Sequence, residues 1–128
     1  MLLTGSRDKK LVRWELYAKP DETTEEMGKP IHSYHGHSHF IQNVTLTSDS
    51  KHALSSSWDK TIRLWDLVHD KAFKPFQGHL RDVLAVAIAS DSKRIISAGR
   101  DNSLKLWTVS GECKHTVEQA HDKWISCI

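Results

Sequence analysis

The chain has 128 residues and a nearly balanced charge, 18 Lys and Arg against 16 Asp and Glu, so its net charge of +2 excludes nucleic-acid binding driven by charge excess alone. No apolar run approaches the ~18 residues of a membrane span and no signal-peptide pattern opens the sequence; two Cys, 14 positions apart, cannot staple a small secreted fold. A soluble protein of a reducing compartment is expected, and nothing calls for a cofactor or a small-molecule substrate.

Taken in chain order, the first segment carries Asp8 and Trp14, six residues apart. Trp14 stands 23 residues before His37, where the equivalent later steps are 14, and the extra nine predict an acidic loop over 19–29 with Asp21, Glu22, Glu25 and Glu26. Phe40 to Thr47, His52 to Ser57 and Thr61 to Asp66 are short runs rich in branched or aromatic residues and bounded by turn formers, which reads as three strands. Lys71 to Phe76 reads as a weaker outer strand. The pattern then restarts, with Val83 to Ala89, Arg94 to Gly99 and Ser103 to Val109 as strands and Glu112 to Val117 as the outer one. No long helix is predicted.

The restart has a fixed step. Gly36-His37 recurs 42 residues later as Gly78-His79 and again as Ala120-His121, and Asp59 with Asp101, Trp65 with Trp107, and Asp49-Ser50 with Asp91-Ser92 keep the same spacing. A period of about 40–45 residues that opens on Gly-His and closes on Trp-Asp matches the signature of the WD repeat. Each unit is then a four-stranded antiparallel sheet, strands a to d, forming one blade of a β-propeller. The fold class expected is all-β: a partial first blade over 1–35 (strands b to d), whole blades over 36–77 and 78–119, and the first strand of a fourth over 120–128. A closed propeller needs about four to eight blades, so the chain is expected to be a fragment or a piece completed by another chain, and a poor soluble domain alone.

The recurring polar residues admit two readings. Ser, His and Asp together resemble a hydrolase triad. The structural reading is stronger: His37, Ser55, Asp59 and Trp65 repeat as His79, Ser97, Asp101 and Trp107, whereas a catalytic site would occur once. Thr4, Asp8 and Trp14 supply the equivalent positions of the first unit, and His121 opens the last. A buried indole N–H, a hydroxyl, an imidazole and a carboxylate can pass hydrogen bonds along a chain that clips one blade together. His32, His35, His37 and His39 crowd one segment, but no Cys or carboxylate nearby completes a metal site, and a polar loop is the preferred reading. Cys113 and Cys127 read as strand or core residues.

Strand alternation sorts the loops. The d–a loops and b–c turns share one end of the blades, which gathers Arg7, Lys9, Lys10, Trp58, Lys60, Arg81, Arg100 and Lys123, while the acidic loop falls at the other. A basic end with an aromatic residue fits phosphates or an acidic protein; Trp58, Arg81 and Arg100 are the protein-interaction candidates. Ordinary solvated turns are the bland alternative.

The segments Thr-Gly-Ser-Arg-Asp-Lys (4–9), Gly-His-Ser-His-Phe (36–40), Ala-Leu-Ser-Ser-Ser-Trp-Asp (53–59), Thr-Ile-Arg-Leu-Trp-Asp-Leu (61–67), Asp-Val-Leu-Ala-Val-Ala (82–87) and Leu-Lys-Leu-Trp (104–107) closely resemble the receptor for activated C kinase family. That family consists of seven-bladed WD-repeat scaffolds on the small ribosomal subunit of eukaryotes. Ala120, where Gly usually precedes the His, and the longer acidic loop depart from its pattern. The resemblance implies a non-enzymatic, cytoplasmic, ribosome-associated scaffold that links signalling proteins such as protein kinase C to translation. It further implies that the Arg-Asp-Lys turn, here Arg7, Asp8 and Lys9 with Lys10 beside them, contacts ribosomal RNA. The segment before Gly-His, often basic in the family, carries His32 and His35 here. The alternative is another WD-repeat interaction module resembling the β-subunit of a heterotrimeric G protein.

Overall fold

A computed structural model describes residues 1–18 and 26–128; most of the predicted acidic loop lies outside the described residues. Every regular element among them is a β-strand. They are β1 (Leu2–Gly5), β2 (Leu11–Leu16), β3 (Gly28–Tyr34), β4 (Ile41–Leu46), β5 (His52–Ser57), β6 (Ile62–Asp66), β7 (Lys71–Ala72), β8 (Val83–Ile88), β9 (Arg94–Gly99), β10 (Leu104–Thr108) and β11 (Cys113–Val117). No helix among the described residues is long and apolar enough to cross a membrane. Three antiparallel meanders result, β1-β2-β3, β4-β5-β6-β7 and β8-β9-β10-β11, so strand order in space follows strand order in sequence. They have the antiparallel form of partial propeller blades, the all-β class expected.

Each sheet packs face to face on the next, so its inner strands are buried on both sides and need apolar or small residues throughout rather than simple alternation. β5 illustrates this: Ala53 joins the core between the first two sheets, with Leu11, Tyr34, Ile41, Trp65 and Leu67. The adjacent Leu54 points the other way, into the core between the second and third sheets with Ile62, Phe76, Val83, Ile95 and Trp107. The same irregularity recurs at the same place in both whole blades. An extra residue, Gln42 in β4 and Leu84 in β8, breaks the ladder to the neighbouring strand and bends the strand where it enters the blade.

A polar clamp also ties the first blade to the second. Asp70, in the turn after β6, accepts from the Tyr34 hydroxyl at 2.6 Å and pairs with Arg13 at 3.2 Å; Arg13 also donates to the Leu67 carbonyl. Burial and the bond to Asp70 push the Tyr34 phenol above its ordinary value, so it stays a donor.

Three expectations change. Gly28 and Lys29 are not loop: they pair with Leu16 and Glu15 and open β3. The outer strand predicted over Lys71 to Phe76 shortens to Lys71–Ala72, with Phe76 rejoining by a single bridge to Ile62; Pro75, between them, has no N–H and a fixed φ. Residues 120–128 do not form a fourth blade's opening strand. They run as turns, bends and irregular chain, tied back to the third blade by the Ala120 amide on the Asn102 carbonyl and the Ile125 amide on the Gly99 carbonyl.

Candidate functional site

In the second blade the repeated polar residues form one chain of short hydrogen bonds. Trp65 Nε1 donates to Ser55 Oγ at 2.8 Å, Ser55 Oγ lies 2.7 Å from His37 Nε2, and His37 Nδ1 lies 2.7 Å from Asp59 Oδ2. The third blade repeats it with Trp107, Ser97, His79 and Asp101 at 2.8, 2.6 and 2.7 Å. One protonation pattern satisfies every group: Ser donates to a neutral imidazole, whose Nδ1–H donates to an ionised Asp. The carboxylate also accepts from the Ser38 and Leu80 amides and from the Thr61 and Ser103 hydroxyls, so it holds the d–a loop, the b–c turn and strand c together.

The electrostatics agree. Burial alone would raise the Asp59 carboxyl, but hydrogen bonds from His37, Thr61 and the Ser38 amide outweigh it and hold the group well below the usual carboxylate range. Asp101 is lowered in the same balance. Burial lowers the His79 imidazole below its ordinary value despite its Asp101 partner. Ser55 and Ser97 are both fully buried, and each oxygen accepts from an indole. A nucleophile so enclosed cannot reach a substrate, and the arrangement is a structural clip.

Two expected members stand outside the clips. Trp14 Nε1 does donate to Thr4 Oγ1 at 2.9 Å, but Asp8 is exposed and bonds only within its turn, accepting from the Lys10 amide at 3.0 Å. His121 is exposed and has no hydrogen-bond partner among the described residues.

The d–a loops and b–c turns do share one end. Arg7, Lys9 and Lys10 are exposed on the β1–β2 turn. Tyr34 pairs with Leu11, so the exposed His35 emerges beside the end of that same turn. His32 leans on Tyr34 instead, with ring centroids 4.5 Å apart, and His39 lies against Phe40 and Trp58. Trp58 is half-buried: it stacks on His39 and donates from Nε1 to Gln42 at 3.0 Å. Arg100 pairs with Asp82 at 2.8 Å and lies over two indoles, 5.2 Å from the Trp58 ring and 3.8 Å from the Trp124 ring. Arg81 is exposed and lines a groove with Lys60, Leu80 and Trp124.

Sequence reasoning missed the logic of this end. Arg7, Trp58 and Arg100 each immediately precede the turn Asp, while Phe40, Asp82 and Trp124 each stand three residues after the blade-opening His. In the structure Arg7 and Arg100 reach across to the second kind of position in the next unit, whereas Trp58 packs on His39 and Phe40 of its own blade. Arg7 lies over Phe40 at 5.5 Å and Arg100 over Trp124, a cation over an aromatic face at two alternate blade junctions. The signal was present in the offsets, but it requires pairing positions from different repeats.

The WD domain, G-beta repeat family matches residues 28–66 and 71–108. The chain is 58% identical over 129 residues to the small ribosomal subunit protein RACK1 of Neurospora crassa, covering all of this chain and 40% of that one. It is 56% identical over 128 residues to the protein of the same name from Candida albicans, covering all of this chain and 39% of the relative. It is also 57% identical over 129 residues to MST50-interacting protein 11 of Pyricularia oryzae, again all of this chain and 40% of the relative. The resemblance read from the sequence is borne out, and the chain spans about 40% of the length of the curated relatives it matches. With its sheets in meander order, its clips repeated at a 42-residue step and its sequence matched over two repeats, the chain belongs to the WD domain, G-beta repeat family.

Proposed function

We propose that this chain is the part of a non-enzymatic WD-repeat scaffold that seats it on the small ribosomal subunit, with ribosomal RNA and ribosomal proteins as its partners there. In this reading the scaffold is cytoplasmic and brings signalling kinases, protein kinase C among them, to translating ribosomes. The observation that carries the reading is the exposed cationic turn of Arg7, Lys9 and Lys10 beside His35, in a chain 56–58% identical to relatives named small ribosomal subunit protein. Arg7 lies over Phe40 and is exposed, so its planar guanidinium is available as a fork for a phosphate; Lys9 and Lys10 add mobile point charges. Such contacts grip the RNA backbone and position the scaffold without reading sequence. A lack of enzymatic activity fits the enclosed, repeated Ser-His-Asp clips.

The test is charge reversal. Arg7→Asp with Lys9→Glu alters two exposed side chains, so circular dichroism should report an unchanged sheet. Co-sedimentation with purified small subunits at moderate salt should be lost. A folded double variant that sediments with subunits like the parent would remove the turn from the contact.

A further inference from the structure

The groove at this same end, where the second and third blades meet residues 120–128, carries a chemistry that a phosphate does not need. Lys60, Leu80, Arg81, Asp82, Arg100 and Trp124 enclose about 380 Å³. Two of its apolar members face solvent: Leu80 is 79% exposed and Trp124 57% exposed. Arg100 is consumed in the wall, its guanidinium over both Trp58 and Trp124 and ion-paired to Asp82. The indole wall is thereby fixed before any ligand arrives, which lowers the ordering cost of binding.

The charges around the groove are unequal once internal pairs are removed. Asp82 is neutralised by Arg100, and Asp101 is held by His79 and its turn hydrogen bonds. That leaves Lys60, Arg81 and Lys123 with no ion-pair partner among the described residues, against Asp122 on the acidic side. We propose that this groove binds an acidic peptide segment of a partner protein, one bulky apolar side chain lying between Leu80 and Trp124 and flanking carboxylates meeting Lys60, Arg81 and Lys123. The exposed aliphatic face of Leu80 favours a peptide over RNA: it has nothing to offer a phosphate, but it buries well against a leucine-like side chain. Electrostatic complementarity then sets orientation and association rate. This proposal does not rest on the ribosomal reading.

The experiment uses the full 128-residue chain and a fluorescein-labelled twelve-residue peptide, a central leucine flanked by glutamates, read by fluorescence polarisation. Two control peptides replace the leucine by serine or all glutamates by glutamine. Saturable binding is expected, weakened at least tenfold in each control, at least tenfold by Leu80→Ser, and at least tenfold by Arg81→Glu. Both side chains are exposed, and circular dichroism confirms that the variants keep their sheets. No saturable binding, or binding indifferent to the leucine and to Leu80→Ser, would overturn the proposal. So would a twelve-nucleotide RNA that binds more tightly than the peptide and is lost in the same two variants, which would give the groove to RNA.

Discussion

Replacing Ser55 by Ala deletes the oxygen that accepts from Trp65 Nε1 at 2.8 Å and stands 2.7 Å from His37 Nε2. Both partners are buried, Trp65 at 1% exposure, so the indole N–H loses its acceptor and the imidazole Nε2 its donor. An unsatisfied buried polar group costs roughly 1–3 kcal/mol, and two such groups sharing one clip are expected to cost about 2–3 kcal/mol together. The adjacent Ser56 supplies an internal control. It is equally buried but faces the other sheet interface, and its hydroxyl has no hydrogen-bond partner. Ser56→Ala removes an uncompensated polar group and is expected to be neutral or stabilising by up to about 1 kcal/mol. The third blade already makes this comparison, with Ser97 in the clip and Ala98 beside it, both fully buried. The two variants should therefore diverge by about 3 kcal/mol from one strand. Urea unfolding followed by tryptophan fluorescence reads this as midpoints more than ~1 M apart, taking a slope of about 2 kcal/mol/M. Ser55→Ala and Ser56→Ala unfolding at the same midpoint would refute the claim that the clip, rather than burial of small residues, stabilises the blade.

Two further outcomes follow from the same geometry. His79 titrates lower in the folded chain than in the unfolded one, so its contribution is full above the unfolded value of about 6.5 and is lost as pH falls below it; Asp101, also lowered, adds a second loss below about pH 4. The urea midpoint of the parent should thus fall between pH 7 and 5.5, and that of His79→Gln should be flatter over the same range; parallel profiles would remove His79 as the cause. At Gly99 an added Cβ would stand 2.2 Å from the Asp82 carbonyl oxygen, a backbone atom just ahead of the paired strand β8. Gly99→Ala is therefore expected to destabilise by about 1–3 kcal/mol, seen as a lower thermal midpoint than that of Gly36→Ala, where the nearest atoms belong to the Arg63 side chain.

Much of this was legible because the repeat supplies its own alignment. Residues that recur at 42 positions share one environment, so His52–Ser57 and Arg94–Gly99 could be read as equivalent strands, and both boundaries match the structure. The clips were legible for the same reason. What escaped depends on partners that the repeat alone does not name. Asp8 and His121 match the repeat's spacing, yet neither makes the His–Asp bond of the clip among the described residues. Pro75 shortened a strand that its apolar neighbours suggested. The contact of Arg100 with Trp58 and Trp124 joins three successive blade positions, and no single repeat contains it. Leu80, one residue past a buried His, gave no sequence signal of its exposure.

The salt dependence of binding to purified small ribosomal subunits tests the central functional claim most directly. Each phosphate contact releases counterions, so the plot of log K against log salt concentration has a slope that counts them. Neutral variants Arg7→Gln and Lys9→Gln each remove one exposed cation, and each should make that slope shallower by about 0.7–0.9 while weakening binding at every salt concentration. Slopes identical to the parent's in both variants would mean that neither side chain meets RNA, and would contradict the assignment of this blade end to the ribosome.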